Sequence, residues 1–326
     1  MSKIDFKKFL DKKYWKIYVS ILAGLVVVVG LIIGLTIAGN QNDPAETTPD
    51  NNVPNTPVEK NYTLAIAVDS AVSASNNKVS NTALVLVLDE AGKIVAARFD
   101  SSEVTPAAGE EGNLAAVASV QTKVEKGDAY TGMAAGSWAK QTKAFEDYIV
   151  GKTPAEVATL DTSLIAGCTM ASSTATFKAL VAKAAASTQK VTFKTTEAIT
   201  TGVAISTAVS GKKVTADFAG VVMAGGKVVA TMIDSCEQSF TVEEGVVVAG
   251  ELKASKNEQG EAYSGMPAGP WYKQAQAFAN STVGKTAAEL ENLETVSDAL
   301  AAAGCTMKNT TAGYKATIIK AVGYAR

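Results

Sequence analysis

The apolar positions of this chain fall into three regimes. Ile17 to Ala38 is one uncharged, apolar run of 22 residues. At about 1.5 Å per residue it spans the roughly 30 Å hydrocarbon core of a bilayer. Asn40 to Lys60 is rich in Asn, Asp, Pro and Thr and reads as an extended, solvated tether. From Tyr62 onward short apolar runs take over. Tyr62–Val68, Thr82–Leu88 and Lys93–Phe99 predict strands, the last two joined by a turn at Asp89–Gly92. The period then lengthens: Trp138, Thr142, Phe145 and Ile149 share one helix face, and that helix stops at Gly151. Thr153-Pro154-Ala155-Glu156 is a capping box with proline at the first helical position. A last helix runs from about Thr174 through Phe177, Leu180 and Val181.

The same pattern then occurs again. Lys123–Thr153 and Lys256–Thr286 align without a gap at an offset of 133, with 18 of 31 positions identical. Upstream, Gly-Lys-Ile-Val at residues 92–95 and Gly-Lys-Val-Val at 226–229 match at an offset of 134. Downstream, Ala-Gly-Cys-Thr-Met recurs at 166–170 and 303–307, offset by 137. This is a domain duplication, with loop insertions accounting for the drift. The second copy predicts strands at Val221–Met223 and Lys227–Ile233, a capping box at Thr286–Glu289, and a last helix carrying Tyr314, Ile318 and Ala321. Strands followed by helices imply α+β domains. The expected organisation is a basic segment (1–16), a transmembrane helix (17–38), a linker (39–60), and two repeated domains (61–189 and 190–326). Each domain is expected to hold a small antiparallel sheet and helices.

Charge sets the direction of the span. Lys3, Lys7, Lys8, Lys12, Lys13 and Lys16 precede it, and Tyr14, Trp15 and Tyr18 lie where an interfacial aromatic belt belongs. The expectation is a single-pass cell-membrane protein with a cytoplasmic N-terminus and both repeats outside. The alternative, a cleaved signal peptide, has a shorter apolar core of about 7 to 15 residues. A net charge of −2 gives no support to a nucleic-acid partner. The chain has no histidine, which removes Ser-His-Asp and Cys-His nucleophile pairs and histidine metal sites. Its three cysteines, Cys168, Cys236 and Cys305, are too scattered for a metal motif. They read either as a Cys236–Cys305 bridge with Cys168 free or as three buried thiols. No base–nucleophile pair can be named, so no catalytic residue is assigned.

Three repeated features carry candidate chemistry. The segments Tyr130–Trp138 and Tyr263–Trp271, with Met133, Trp138, Met266 and Trp271, combine glycines with a large apolar payload. They read as loops pinned to their own core or as aromatic walls against a flat ligand. Gly167, Cys168 and Thr169, and their counterparts Gly304, Cys305 and Thr306, lie just before the last helix. Free N–H groups gather at a helix start, so a threonine there can face or carry a phosphate; the plainer reading is a turn and an N-cap. The third feature is Asp100-Ser101-Ser102-Glu103 with its match Asp234-Ser235-Cys236-Glu237, carboxylates expected to be solvated at a strand end.

With these residues in place, both copies resemble the FMN-binding domain family of exported bacterial flavoproteins, nearest the surface electron-transfer type of Gram-positive bacteria. The resemblance rests on the Gly-Lys-Ile-Val strand with its following aspartate, the Tyr-x-Gly-Met to Trp segment, the Val-Gly-Lys-Thr helix end and the small-residue loop before the final helix. It implies FMN joined by a phosphodiester bond to Thr169 and Thr306, in a loop of the form Asp-x-x-Ser/Thr-Gly-Ala-Ser/Thr. This chain departs from that form. Ala166 and Ala303 replace the Ser/Thr, Cys168 and Cys305 replace the alanine, and Ser163 and Leu300 replace the aspartate. The resemblance further implies electron relay between a membrane donor and an outside acceptor, with a flavin transferase as maturation partner. The alternative is a non-catalytic surface protein whose repeats bind or support something else without flavin.

Overall fold

The computed structural model describes residues 58–131, 133–264 and 266–326. The predicted basic segment, the membrane span and all but the last residues of the predicted linker lie outside them. Pro57–Arg326 is one compact unit, α+β, with two antiparallel sheets. The strands are β1 (Lys60–Val72), β2 (Val79–Asp89), β3 (Ile94–Val104), β4 (Val117–Val120), β5 (Val191–Thr195), β6 (Ile199–Ser210), β7 (Lys213–Ala224), β8 (Lys227–Glu243) and β9 (Val246–Ala249). Helices α1 (Lys123–Lys126), α2 (Trp138–Ile149), α3 (Pro154–Ala158) and α4 (Ala171–Ala186) follow the first set of strands. Helices α5 (Lys256–Gln259), α6 (Trp271–Asn280), α7 (Ala287–Glu291), α8 (Asp298–Ala302) and α9 (Thr311–Gly323) follow the second. Among the described residues, no helix is long and apolar enough to cross a membrane.

Sheet order is β3-β2-β1-β5 in one sheet and β4-β6-β7-β8-β9 in the other. The boundary read between residues 189 and 190 is therefore not a boundary between separate bodies. Strand β5, from the second copy, pairs with β1 of the first, Leu64 opposite Val191. Strand β4, from the first copy, pairs with β6 of the second, Val117 opposite Val209. The sheets pack face to face through Leu64, Ile66, Val85, Ile205, Phe218 and Met232. On its other face the first sheet meets α2 and α4 through Leu84, Phe99, Phe145 and Phe177. The second sheet likewise meets α6 and α9 through Val221, Ile233, Phe278 and Ile318. The layers run helix, sheet, sheet, helix. Antiparallel sheets often leave one face in water and then alternate apolar with polar. Here both faces are covered, so Leu64–Val68 and Leu84–Val87 are buried without interruption.

Two matching ion pairs join the repeats. Lys183 on α4 reaches Glu258 on α5 at 2.8 Å, and Lys320 on α9 reaches Glu125 on α1 at 2.9 Å. Each lysine also donates to a strand carbonyl of its own repeat, Val68 and Ile205 respectively. Ser102 on β3 and Thr207 on β6 share a buried hydrogen bond of 2.7 Å, tying one sheet to the other.

Candidate functional site

The Tyr-to-Trp segment packs on the core in both repeats. Trp138 and Trp271 are each only 2% exposed, and Met133 and Met266 pack partly buried against the same clusters. Positive φ at Gly136 (104°) and Gly269 (101°) turns the chain so that the Trp N–H donates back to the carbonyl of Tyr130 or Tyr263. The aromatic rings are already occupied. The Lys123 ammonium stands 5.1 Å from the Tyr130 ring centre and 5.6 Å from that of Trp138. Lys256 repeats this at 5.2 and 5.5 Å from Tyr263 and Trp271. Glu103 pairs with Lys123 at 2.8 Å and Glu237 with Lys256 at 2.7 Å. Each repeat thus cages its own lysine between two rings and a carboxylate. Burial opposes the Lys256 charge, but Tyr314 and Glu237 hold its pKa above the ordinary lysine range.

The Gly-Cys-Thr-Met loop is clasped to this segment by one glutamine per repeat. Gln141 is fully buried; its Oε1 accepts from the Thr169 N–H at 2.7 Å and from the Thr169 hydroxyl at 3.0 Å. Its Nε2 donates to the Gly136 carbonyl at 3.0 Å. Gln274 does the same for Thr306, at 2.9 Å for both contacts, and for Gly269 at 2.9 Å. Gly167 and Gly304 have φ of 79° and 97°. In the second repeat Gly304 ends α8, with the Cys305 N–H donating to the Leu300 carbonyl at 2.8 Å, which is a Schellman helix stop. The following N–H groups of Met170 and Met307 point at the Cys168 and Cys305 sulfurs. One glutamine thus engages the threonine N–H and hydroxyl in each copy. Sequence reasoning singled out the threonines but missed Gln141, Gln274, Lys123 and Lys256. All four lie at identical positions in the ungapped alignment, which was the available signal.

All three cysteines are free, buried thiols, so the alternative of a Cys236–Cys305 bridge is corrected. Burial raises the pKa of Cys168 and Cys305. Burial and the neighbouring Asp234 charge push Cys236 up to about 12. These thiols are poor nucleophiles.

The aspartates expected to be solvated at a strand end lie within β3 and β8 and are buried. Asp100 is 0% and Asp234 2% exposed. Asp100 Oδ1 accepts the N–H groups of Ser101 and Val124, at 2.7 and 3.1 Å. Asp234 Oδ1 accepts those of Ser235 and Asn257, at 2.8 and 3.0 Å. Each carboxylate thus anchors the first turn of a short helix to its strand. Burial raises Asp100 to about 7 and Asp234 to about 6, against the lowering effect of these bonds.

The two repeats differ around the clasped loop. A four-residue insertion, visible in the change of offset from 133 to 137, gives the second repeat helix α8. A cleft of about 760 Å³ opens there, lined by Val296, Asp298, Ala301, Cys305, Thr306 and Lys308 among others. Among the described residues, no group of three His, Cys, Asp or Glu is placed to hold a metal ion. Comparison with known proteins finds no matching protein family, no matching curated protein and no matching solved structure.

Proposed function

We propose that this chain is a surface-held, non-catalytic protein in which residues 17–38 anchor a double FMN-binding-like body that binds or supports a partner without flavin. The observation that carries the reading is the glutamine clasp. In both repeats the hydroxyl and N–H of the threonine that the family resemblance nominates, Thr169 or Thr306, are engaged by one buried glutamine. The aromatic rings that would flank a flat ligand hold the chain's own lysines instead. An acceptor loop needs its hydroxyl free and its N–H groups open to phosphate. In both copies the threonine N–H and the hydroxyl hydrogen are turned to the glutamine instead.

A second reading has one observation in its favour. Thr306 lines the cleft of about 760 Å³, enough for a drug-sized ligand, so a single flavin held by the second repeat is the competing function. It would make the protein a one-station electron carrier, fed by a membrane donor and loaded by a flavin transferase. Intact mass and in-gel flavin fluorescence of the protein purified from its native membranes separate the two readings. A colourless protein of unmodified mass is expected. A fluorescent band with the mass of one FMN, lost in Thr306→Ala and kept in Thr169→Ala, would replace the first reading with the second.

A further inference from the structure

The junction between repeats contains two equivalent places, one filled and one open. At the filled place, Lys320, Glu125 and Asp100 surround the end of α9, where residue 324 is tyrosine. The Tyr324 phenol is half-buried at the end of the helix, and its pKa is raised by burial and then by the charges of Glu125 and Asp100. The constant offset of 137 makes Ser187 its counterpart at the end of α4. There Lys183, Glu258 and Asp234 take the places of Lys320, Glu125 and Asp100. With a serine instead of a phenol, a cleft of about 420 Å³ is left between β1, the end of α4 and the start of α5, with Asp234 and Asn257 in its wall.

The chemistry of this cleft is directional. Asp234 and Glu258 bring two carboxylates and Lys183 one ammonium. Lys183 is already bound to Glu258 and to the Val68 carbonyl, leaving Asp234 without a cation. The carbonyl end of α4 already has its cation, since the Lys190 ammonium donates to the Ala185 carbonyl. Ile66, Ala67 and Val68 supply an apolar side.

We propose that this cleft binds a small arylalkylamine, its ring standing where Tyr324 stands in the other repeat and its ammonium against Asp234. The filled junction supplies the precedent for the ring, and the uncompensated carboxylate supplies the preference for a cation. A ligand cation would also offset the burial cost that pushes Asp234 up to about 6. The site lies apart from the threonine loops and stands whether or not the second repeat holds flavin.

The test is calorimetric titration of the full-length chain in detergent with three probes of one shape: tyramine, p-cresol and 4-hydroxyphenylacetate. Saturable tyramine binding at one site per chain is expected, at least about tenfold tighter than either the neutral or the anionic probe. Ser187→Tyr, which copies the filled junction, is expected to abolish it while the melting temperature holds or rises. Equal affinity for the three probes, no saturation by tyramine at millimolar concentration, or undiminished binding in a folded Ser187→Tyr variant would each overturn the proposal. The probe comparison on the unmodified protein decides the matter even where the variant does not fold.

Discussion

The two repeats share their clasp, lysine cage and anchoring aspartate, yet they differ where they press on one another. Val85 in β2 pairs with Arg98, and Gly220 in β7 pairs with Met232, so Val85 and Gly220 occupy equivalent positions in their sheets. A Cβ on Gly220 would lie 2.4 Å from a Val85 methyl. The valine of one copy thus fills the space that the missing side chain of the other leaves. Ala65 and Gly202 are also equivalent, each one place along from the residue facing Val87 or Val222, but they face the helices of their own repeats. The first repeat tolerates a methyl there; in the second, a Cβ would lie 1.9 Å from the Ala321 carbonyl oxygen of α9. A duplicated domain that packs against its own copy cannot keep both halves alike at the contact, because two identical bulges cannot interlock in one space.

This contrast predicts the largest effect. Gly202→Ala collides with backbone, which cannot move without displacing α9, and is expected to cost about 3 kcal/mol or more in chemical denaturation. Gly220→Ala meets only the end of a side chain and is expected to cost about 1 to 2 kcal/mol. Val85→Ala in the same chain should recover most of the Gly220→Ala loss and none of the Gly202→Ala loss. Equal losses in the two glycine variants, or rescue of both, would remove the explanation by interlocking.

A polar asymmetry comes next. In the first repeat the buried Glu146 accepts the Phe99 N–H at 2.9 Å and pairs with Arg326 at 2.6 Å and Arg98 at 3.6 Å. The second repeat has Ala279 and Met232 where the first has Glu146 and Arg98. Burial raises the Glu146 pKa against the lowering effect of both arginines, so the cluster is no free gain in stability. Glu146→Ala leaves Arg98 largely buried without its anion and is expected to cost about 3 kcal/mol. Adding Arg98→Met, and so giving the first repeat the second's own pair, should bring the loss below about 1 kcal/mol. A double variant no more stable than Glu146→Ala alone would show that the cluster matters for the Phe99 N–H rather than for charge balance.

Much of this architecture was legible from pattern. The strand pairs, the amphipathic helix from Trp138 and both capping boxes follow from local periodicity, and the structure has them. What local pattern could not carry is exchange between copies. Strands β4 and β5 are four and five residues long, and which sheet they join depends on partners far along the chain. The solvated reading of Asp100 failed for a related reason: its burial comes from α1 folding back onto the strand. Among the site residues, the repeat marked Gln141 and Gln274 as clearly as Thr169 and Thr306. Glutamine suggested no chemistry, and its clasp exists only once the loop and helix meet.

The smallest predicted effect separates the two anchoring aspartates. Their folded-state pKa values lie near 7 for Asp100 and near 6 for Asp234, both above the ordinary carboxylate value. A carboxyl whose folded pKa is raised favours the native state in its protonated form. That contribution is complete below about pH 4 and is lost as pH rises through the folded pKa. Glu103, Glu125 and Glu237 run the other way, since lysine partners, and for Glu125 first the Thr122 N–H, hold their pKa values low against burial; their contribution is lost as pH falls. The aspartates must therefore be read by difference. Subtracting the stability profile of Asp234→Asn from that of the unmodified chain should give a decline that begins near pH 4 and levels off near pH 6, and Asp100→Asn one that levels off near pH 7. The order has a structural cause. Asp100 Oδ2 has no hydrogen-bond partner in a junction closed by Tyr324, whereas Asp234 borders the open cleft. Ser187→Tyr closes that cleft and should carry the Asp234 slope upward, toward its counterpart. A decline that still levels off near pH 6 in that variant would mean that the difference lies in the immediate hydrogen bonds and not in whether the junction is filled.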